Sequence, residues 1–191
     1  MHGEATANSF FTALTVVANA AVVALGVLAV AATISAGGRR LARQFVLLVG
    51  PHARALALLV AAVATAGSLY YSQIVGFAPC ELCWFQRICM YPLVAVLAVG
   101  VARRDSAARW YAAPFVLVGA PLGLYHWLVE RVPSIAASAS CSATVPCAVP
   151  YFEELGYVTL AFMAMSAFVL IGALLLVERA GTRTRSAGVT P

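Results

Sequence analysis

The sequence contains no lysine, and only 10% of its 191 residues are charged. A soluble domain usually has about 25% charged residues, so this composition excludes an ordinary water-soluble globular protein. The net charge of +5 therefore rests on arginine alone. Most of these arginines lie between apolar segments, where they set membrane topology. No stretch resembles a nucleic-acid-binding module, and nucleic acid is not expected as a partner.

Apolar residues make up 63% of the chain. A membrane-spanning helix needs about 20 predominantly apolar residues. Five stretches approach or exceed that length: 10–35, 55–75, 84–102, 112–129 and 157–177. The fold class predicted is an all-α integral membrane helical bundle. The first stretch lacks a basic leader and an obvious cleavage site, and its apolar run is too long for a signal peptide, so we interpret it as a retained helix.

The arginines predict the orientation of the bundle. Ten of the twelve follow the first, third and fifth spans: Arg39, Arg40, Arg43, Arg54, Arg103, Arg104, Arg109, Arg179, Arg183 and Arg185. By the positive-inside rule these segments are cytoplasmic. The predicted division is an N-terminal helix and linker (1–54), a core of four helices (55–178) with an outer loop (129–156), and a disordered cytoplasmic tail (179–191).

The segment 79–91, PCELCWFQRICMY, places Cys80 and Cys83 in a C-x-x-C motif where the third span begins. In a helix starting near Glu81, Cys80, Cys83 and Arg87 share one face. The positive end of the helix dipole and the guanidinium both favour a thiolate over a thiol. The motif therefore predicts a redox-active dithiol at a membrane surface.

A second cysteine pair, Cys141 and Cys147, lies in the outer loop within ASASCSATVPCAVP. Both pairs are predicted to face the oxidising side, where disulfides persist. The loop is rich in serine, alanine and proline, so we expect it to be mobile. The residues alone leave open whether this pair is an exchanging disulfide or a static one. A zinc site formed by all four cysteines is a third, less favoured interpretation, and no metal is expected.

The sequence also resembles a known family. PCELCWFQR followed by ICMYPL, then GLYHWL, the cysteine-containing loop and YFEELGYVTLAFM are similar to the DsbB/BdbC family of disulfide-bond formation proteins, in its short-loop, BdbC-like branch. The resemblance spans about residues 55–177 and implies a DsbB-like core of four helices. The first span has no counterpart in the usual family member, and its purpose is left open between packing and partner docking.

This resemblance implies a bacterial cell-membrane oxidase that passes electrons from a soluble thioredoxin-fold partner, of the DsbA/BdbD type, to ubiquinone or menaquinone. Carried over to this sequence, Cys141 forms the mixed disulfide with the partner and Cys147 exchanges with Cys80. Cys83 then faces the quinone as a thiolate, with Arg87 beside the ring. Because the loop pair is closer in sequence than in long-loop members, the order of Cys141 and Cys147 stays open.

Three further residues are assigned by position. Trp84 belongs to an interfacial aromatic belt and is a candidate wall of the quinone site. His126 ends the fourth span. There it either helps to bind the quinone or to move protons, or it is simply an interfacial histidine. Cys89 lies nine residues after Cys80 and points away from the redox face, so we expect an ordinary buried cysteine.

Two other functions compete with this one. A vitamin-K-epoxide-reductase-like enzyme performs similar chemistry, but there the loop pair normally precedes C-x-x-C, whereas here it follows. The other competitor is a non-catalytic membrane subunit whose two disulfides are structural.

Overall fold

A computed structural model describes residues 2–139, 141–142 and 144–187. Within that part the chain forms seven α-helices and one π-helical turn, Tyr70–Val75. The helices are α1 (His2–Ile34), α2 (Ala36–Val49), α3 (Ala53–Leu69), α4 (Glu81–Ala102), α5 (Ala108–Arg131), α6 (Pro133–Ala136) and α7 (Leu160–Ala187).

Five of these helical segments are long and apolar enough to cross a membrane: α1, α3 with its π-helical turn, α4, α5 and α7. They correspond to the five stretches found in the sequence, and the prediction of an all-α membrane bundle is confirmed. Each observed helix extends beyond its apolar stretch at one end at least. The exceptions to this extension are the end of α1, which falls one residue short, and the start of α7, which comes three residues late. The extra turns contain polar residues that an apolar-run criterion leaves out.

The core of the bundle lies between α3, α4, α5 and α7. Leu93, Leu97, Phe168 and Ile171 are completely buried there. Helices α5 and α7 approach closely at Gly119, where a Cβ would lie 2.4 Å from the Phe168 ring. Small residues allow such close packing between membrane helices, and Gly119 and Gly123 form a G-x-x-x-G spacing on α5.

The N-terminal helices pack on the same bundle. Ser35 ends α1 and caps α2 by accepting a hydrogen bond from the Gly38 amide. Helix α2 packs against both α1 and α7, and a Cβ at Gly50, the residue after α2, would lie 3.3 Å from the Cα of Gly181 on α7. The segment between the first two spans is thus largely helical.

The end of α7 differs from the predicted domain boundary. A disordered tail was expected from residue 179, but the helix continues to Ala187; residues 188–191 lie outside the described part. Thr182 and Thr184 explain part of the difference, because their hydroxyls donate to carbonyls three and four residues earlier, Arg179 and Ala180. Through these bonds the threonine hydroxyls find partners within the helix itself, so the backbone can stay helical.

The two ends of the bundle are chemically distinct. At one end, the Arg54 guanidinium pairs with the buried Glu178 carboxylate and donates to the Gly100 carbonyl, which ties α3, α4 and α7 together. At the other end, the π-helical turn stops at Gly76, whose φ of 89° favours glycine. The chain then leads directly into the C-x-x-C motif.

Candidate functional site

The C-x-x-C motif forms the beginning of α4. Cys80 is the N-cap residue, with an extended backbone, and its Sγ accepts a hydrogen bond from the Cys83 amide at 3.2 Å. A sulfur in this position satisfies one of the free amides of the first helical turn. Glu81 follows in that turn. The local sequence therefore places both sulfurs at the positive end of the helix, as predicted.

The two sulfurs are close neighbours. Sγ of Cys80 and Sγ of Cys83 lie 2.6 Å apart, so a disulfide can close between them with little movement. On its other side, Cys80 Sγ lies 3.6 Å from Nε2 of His126, which α5 contributes. His126 is buried, with 3% of its surface exposed. The structure therefore places His126 against the dithiol and not at the exposed membrane interface.

The surroundings stabilise negative charge on Cys80. The Cys83 thiol and then the His126 imidazole hydrogen-bond to its sulfur, and together they lower the pKa of Cys80 to about 4 against the opposing effect of burial. The family resemblance implies a thiolate on Cys83 when a quinone is bound, and that assignment stays a prediction. In this structure the sulfur at the cap, Cys80, accepts from the Cys83 amide and also contacts the Cys83 sulfur and the His126 imidazole.

The loop cysteines are bonded to each other. Cys141 and Cys147 form a disulfide with their Cα atoms 6.0 Å apart. The zinc arrangement of four cysteines therefore does not form. Among the described residues, Cys80, Cys83 and His126 place three potential metal-binding atoms within 4.8 Å of one another. We interpret these three as the redox site, because two sulfurs at 2.6 Å are too close to act as separate zinc ligands.

The loop disulfide packs beside the C-x-x-C motif. Cys80, Leu82, Val129 and Cys147 are buried in one group, which we call the loop-side cluster. Cys147 is 3% exposed, whereas Cys141 is half-buried. The inner cysteine of the loop therefore shares its surroundings with Cys80, and the outer one is accessible.

The described part of the loop is anchored more firmly than its serine- and alanine-rich composition suggested. The Tyr151 ring stacks on Phe77 with centroids 4.2 Å apart, and its hydroxyl donates to the Ala78 carbonyl at 2.6 Å. Phe152 packs on Tyr71. These aromatic anchors lie just beyond the segment on which the expectation of mobility was based, so they hold the loop end over the motif.

A cavity of about 380 Å³ lies on the other side of the dithiol, between α1, α3, α4 and α7. We call it the Cys83 cavity, because Cys83 is the cysteine that lines it. Most of the lining is apolar or aromatic. The lining near Cys83 consists of Ser68, Tyr71, Phe77, Gln86, Arg87, Met90, Tyr91 and Tyr151.

Arg87 lines this cavity in a fixed position. Its Nε donates to the Ser68 hydroxyl and its NH2 group to the Ser68 carbonyl, both at 3.0 Å. Its guanidinium also lies 5.3 Å from the centroid of the Trp84 ring. Trp84 itself is 53% exposed and does not line the cavity. The structure therefore places Trp84 at the surface, behind Arg87.

Several residues at this site were not identified from the sequence. Gln86 is buried and lines the cavity, and its Nε2 has no hydrogen-bond partner among the described residues. Ser68 holds Arg87 from α3. The available signal was weak: both are polar residues inside apolar spans, where such residues are costly and often functional. Cys89 is buried in the core, consistent with the role expected for it.

Comparison with known proteins agrees with this geometry. The family described as disulfide bond formation protein DsbB matches residues 50–178. This chain belongs to the DsbB family. The matched range contains α3 to α6 and most of α7, and therefore both cysteine pairs. It begins after α1 and α2, which the family comparison leaves without a counterpart.

Individual relatives cover the same region. The chain is 42% identical over 112 residues to disulfide bond formation protein C of Bacillus subtilis, a match that spans 59% of this chain and 81% of the relative. It is 36% identical over 121 residues to a probable disulfide formation protein of Coxiella burnetii, covering 63% and 82%. No solved structure matches. As a DsbB-family membrane protein, the chain has a role in thiol–disulfide oxidation.

Proposed function

We propose that this protein reoxidises a soluble thioredoxin-fold dithiol protein and passes the electrons to a membrane quinone. The observation that supports it most directly is the division of the C-x-x-C motif between two surroundings. Cys80 is buried in the loop-side cluster with Cys147, whereas Cys83, which packs against the edge of that cluster, also lines the cavity with Arg87. A dithiol with a disulfide on one side and an apolar cavity on the other is arranged to receive electrons and to release them.

The receiving side uses thiol–disulfide exchange. A thiolate of the partner attacks the accessible Cys141, and the displaced Cys147 thiolate attacks Cys80 of the closed Cys80–Cys83 disulfide. The second thiol of the partner then attacks the partner–Cys141 disulfide and releases Cys141, which attacks Cys147 and displaces Cys80. At the end of these exchanges the partner has lost two electrons and two protons to become a disulfide. Cys141–Cys147 is restored, and Cys80–Cys83 is reduced.

The releasing side fits a quinone. The cavity offers aromatic walls for a planar ring, the unpartnered Gln86 amide as a donor for a carbonyl, and the Arg87 guanidinium for negative charge. A bound quinone would accept two electrons and two protons. The chain's own contribution is to present Cys83 Sγ to the cavity, to hold negative charge and a proton between the two sulfurs, and to keep His126 beside Cys80.

The arginine distribution supports an orientation for this chemistry. Ten of the twelve arginines follow α1 or α4, lie near the start of α3 or α5, or lie in the last turns of α7, at the end opposite the cysteines. The positive-inside rule then assigns both cysteine pairs to the outer face of the bacterial cell membrane. A soluble partner there can reach Cys141 without crossing the bilayer.

The test is a reconstituted reaction. Purified protein in lipid nanodiscs is mixed with a reduced thioredoxin-fold dithiol protein and either ubiquinone or menaquinone, and quinone absorbance is followed. We expect quinone reduction that depends on both substrates and yields one partner disulfide per quinol. No reduction with any quinone and partner tried would instead favour the structural-disulfide alternative. The vitamin-K-epoxide-reductase-like alternative is disfavoured by the DsbB-family match and by the order of the cysteine pairs.

A further inference from the structure

Helix α1 lies outside the range that matches the DsbB family, yet it is specifically docked on the core. The Tyr71 hydroxyl donates to the Asn8 side chain at 2.8 Å, and Asn19 Nδ2 donates to the Ser166 hydroxyl at 2.9 Å. Side-chain hydrogen bonds of this kind fix one helix against another in a membrane, where apolar surfaces alone give little preference. The bonds link α1 to α3 and to α7 at two levels.

The docked helix supplies one wall of the Cys83 cavity. Its contributions are Phe11, Leu14, Thr15, Val17, Ala18 and Ala21. Near the dithiol, the Phe11 ring packs against Tyr71 and fills the space beside Gly67, where a Cβ would lie 2.9 Å from the ring. Away from the dithiol, Ala18 and Ala21 are small. A large ring thus lines the cavity at Phe11, whereas only methyl side chains line it at the two alanines.

The cavity reaches the lipid-facing surface between α1 and α3. Val17 of α1 and Leu59 of α3 both line it, yet they are 65% and 58% exposed. A lining residue that is also largely exposed marks the rim of an opening. Both helices are membrane-spanning segments, so this opening faces the hydrocarbon region, in which a quinone is dissolved.

We infer that α1 forms the binding site for the isoprenoid tail of the quinone, with Val17 and Leu59 at the opening through which the quinone enters. The inference rests on the proposed function and extends it to a part of the chain that the family match leaves out. An apolar tail is the occupant that fits, because the channel continues from the polar groups at Cys83, Gln86 and Arg87 along apolar residues to the lipid. The size of the side chains at positions 18 and 21 then determines which quinone tails fit into the channel.

Photo-crosslinking tests binding without turnover. The probe is a benzoquinone with an isoprenoid tail that carries a photoreactive group, added to the full chain in nanodiscs and followed by peptide mass spectrometry. We expect labelled peptides from α1 that unmodified tailed quinone competes away. Labelling of α1 that excess phospholipid removes but tailed quinone does not would make the groove a lipid site. That result, or labelling confined to α3, α4 and α7, overturns the inference.

Two matched variants test the size of the channel. Ala18→Phe places a ring in the channel, whereas Ala20→Phe places the same ring on the lipid-facing side of α1. We expect Ala18→Phe to raise KM at least about tenfold for a tailed quinone, to affect the same ring without a tail far less, and to leave α1 crosslinking weakened. Ala20→Phe should resemble the wild type in all three measurements.

The outcomes separate this inference from the proposed function. If the wild-type protein reduces no quinone, the proposed function fails. If the wild-type protein is active and Ala18→Phe and Ala20→Phe behave alike toward the tailed quinone, only the role of α1 fails. Should Ala18→Phe fold poorly, the wild-type crosslinking map decides the question by itself.

Discussion

The two ends of this helix bundle are held together by different kinds of contact. At the arginine end, Arg54 and Glu178 are both largely buried and paired, and Arg54 also binds the Gly100 carbonyl. At the cysteine end, the ion pair is Arg131–Glu153, with side chains 26% and 39% exposed, and the main contacts are sulfurs and stacked rings. One end is a fixed clamp, and the other holds bonds that can be exchanged.

The difference indicates where stability and chemistry are located. A buried ion pair is costly to break because the remaining charge stays unpaired. Thiol–disulfide exchange needs the opposite, a set of contacts that can rearrange at little cost. We therefore expect substitutions at the arginine end to change folding and those at the cysteine end to change turnover. The predictions below test that division, from the largest expected effect to the smallest.

Cys83→Ser should abolish quinone reduction, because it removes the only cysteine lining the described cavity and with it the Cys80–Cys83 disulfide. The measurement is quinone reduction at saturating partner. The matched control is Cys89→Ala, on the same helix but buried in the core, which should retain most of the activity. Full turnover by Cys83→Ser would remove the assigned role, and a dead Cys89→Ala would show that the wrong cysteine was assigned.

Arg54→Ala should destabilise the fold by roughly 3 kcal/mol, because the Glu178 carboxylate, in a residue that is 4% exposed, loses its partner. Unfolding in detergent with increasing denaturant measures this cost. The counterpart at the cysteine end, Arg131→Ala, should cost no more than about 1 kcal/mol, since that pair is partly exposed. Equal costs at the two ends would contradict the division.

Arg87→Ala should raise KM for the quinone about tenfold, because the cavity loses its cation. Exchange between the partner and the loop disulfide, followed as a single turnover without quinone, should be unchanged. Arg87→Lys keeps the charge but lacks the planar guanidinium that binds Ser68 through two nitrogens, so an intermediate KM is expected. An unchanged KM in Arg87→Ala would show that the cation does not contribute to quinone binding.

The sequence was most informative where one physical requirement acts alone. Long apolar runs predicted all five membrane-crossing segments, because a bilayer demands length and hydrophobicity. The ends were harder: Tyr70–Val75 becomes a π-helical turn, and α7 continues to Ala187, through contacts that apolar runs do not encode. Helix periodicity placed Cys80, Cys83 and Arg87 on one side of α4. In the structure that side meets the loop-side cluster at Cys80 and the Cys83 cavity at Cys83 and Arg87.

Features that depend on distant parts of the chain could not be read in this way. His126 meets Cys80 from 46 residues away, and Tyr151 reaches Ala78 from 73 residues away. The contact between His126 and Cys80 adds to the stabilisation of charge on Cys80, and sequence spacing gave no sign of it; the thiolate on Cys83 stays a prediction. The cavity wall on α1 likewise depends on how Asn8 and Asn19 dock.

The smallest expected effect concerns the charge of Cys80. Its pKa is lowered to about 4, first by the Cys83 thiol and then by His126, so we expect the reduced protein to hold a thiolate at mildly acidic pH, where an ordinary cysteine is a thiol. His126→Ala removes the second contribution and keeps the first. The pKa of Cys80 should therefore rise, and the thiolate fraction at mildly acidic pH should fall. Ultraviolet thiolate absorbance against pH, in a Cys89→Ala background, measures the change.

The control for this titration is a histidine at the other end of the bundle. His52 is exposed and begins the segment that contains the clamp residue Arg54. His52→Ala should leave the thiolate titration unchanged, because it is far along the bundle from either sulfur. The step in which Cys141 attacks Cys147 and displaces Cys80 should slow in His126→Ala at low pH, since Cys80 is then the leaving sulfur and its negative charge is less stabilised. An identical titration curve in both variants would mean that His126 only fills space, and that the cap of α4 and Cys83 alone set the charge of Cys80.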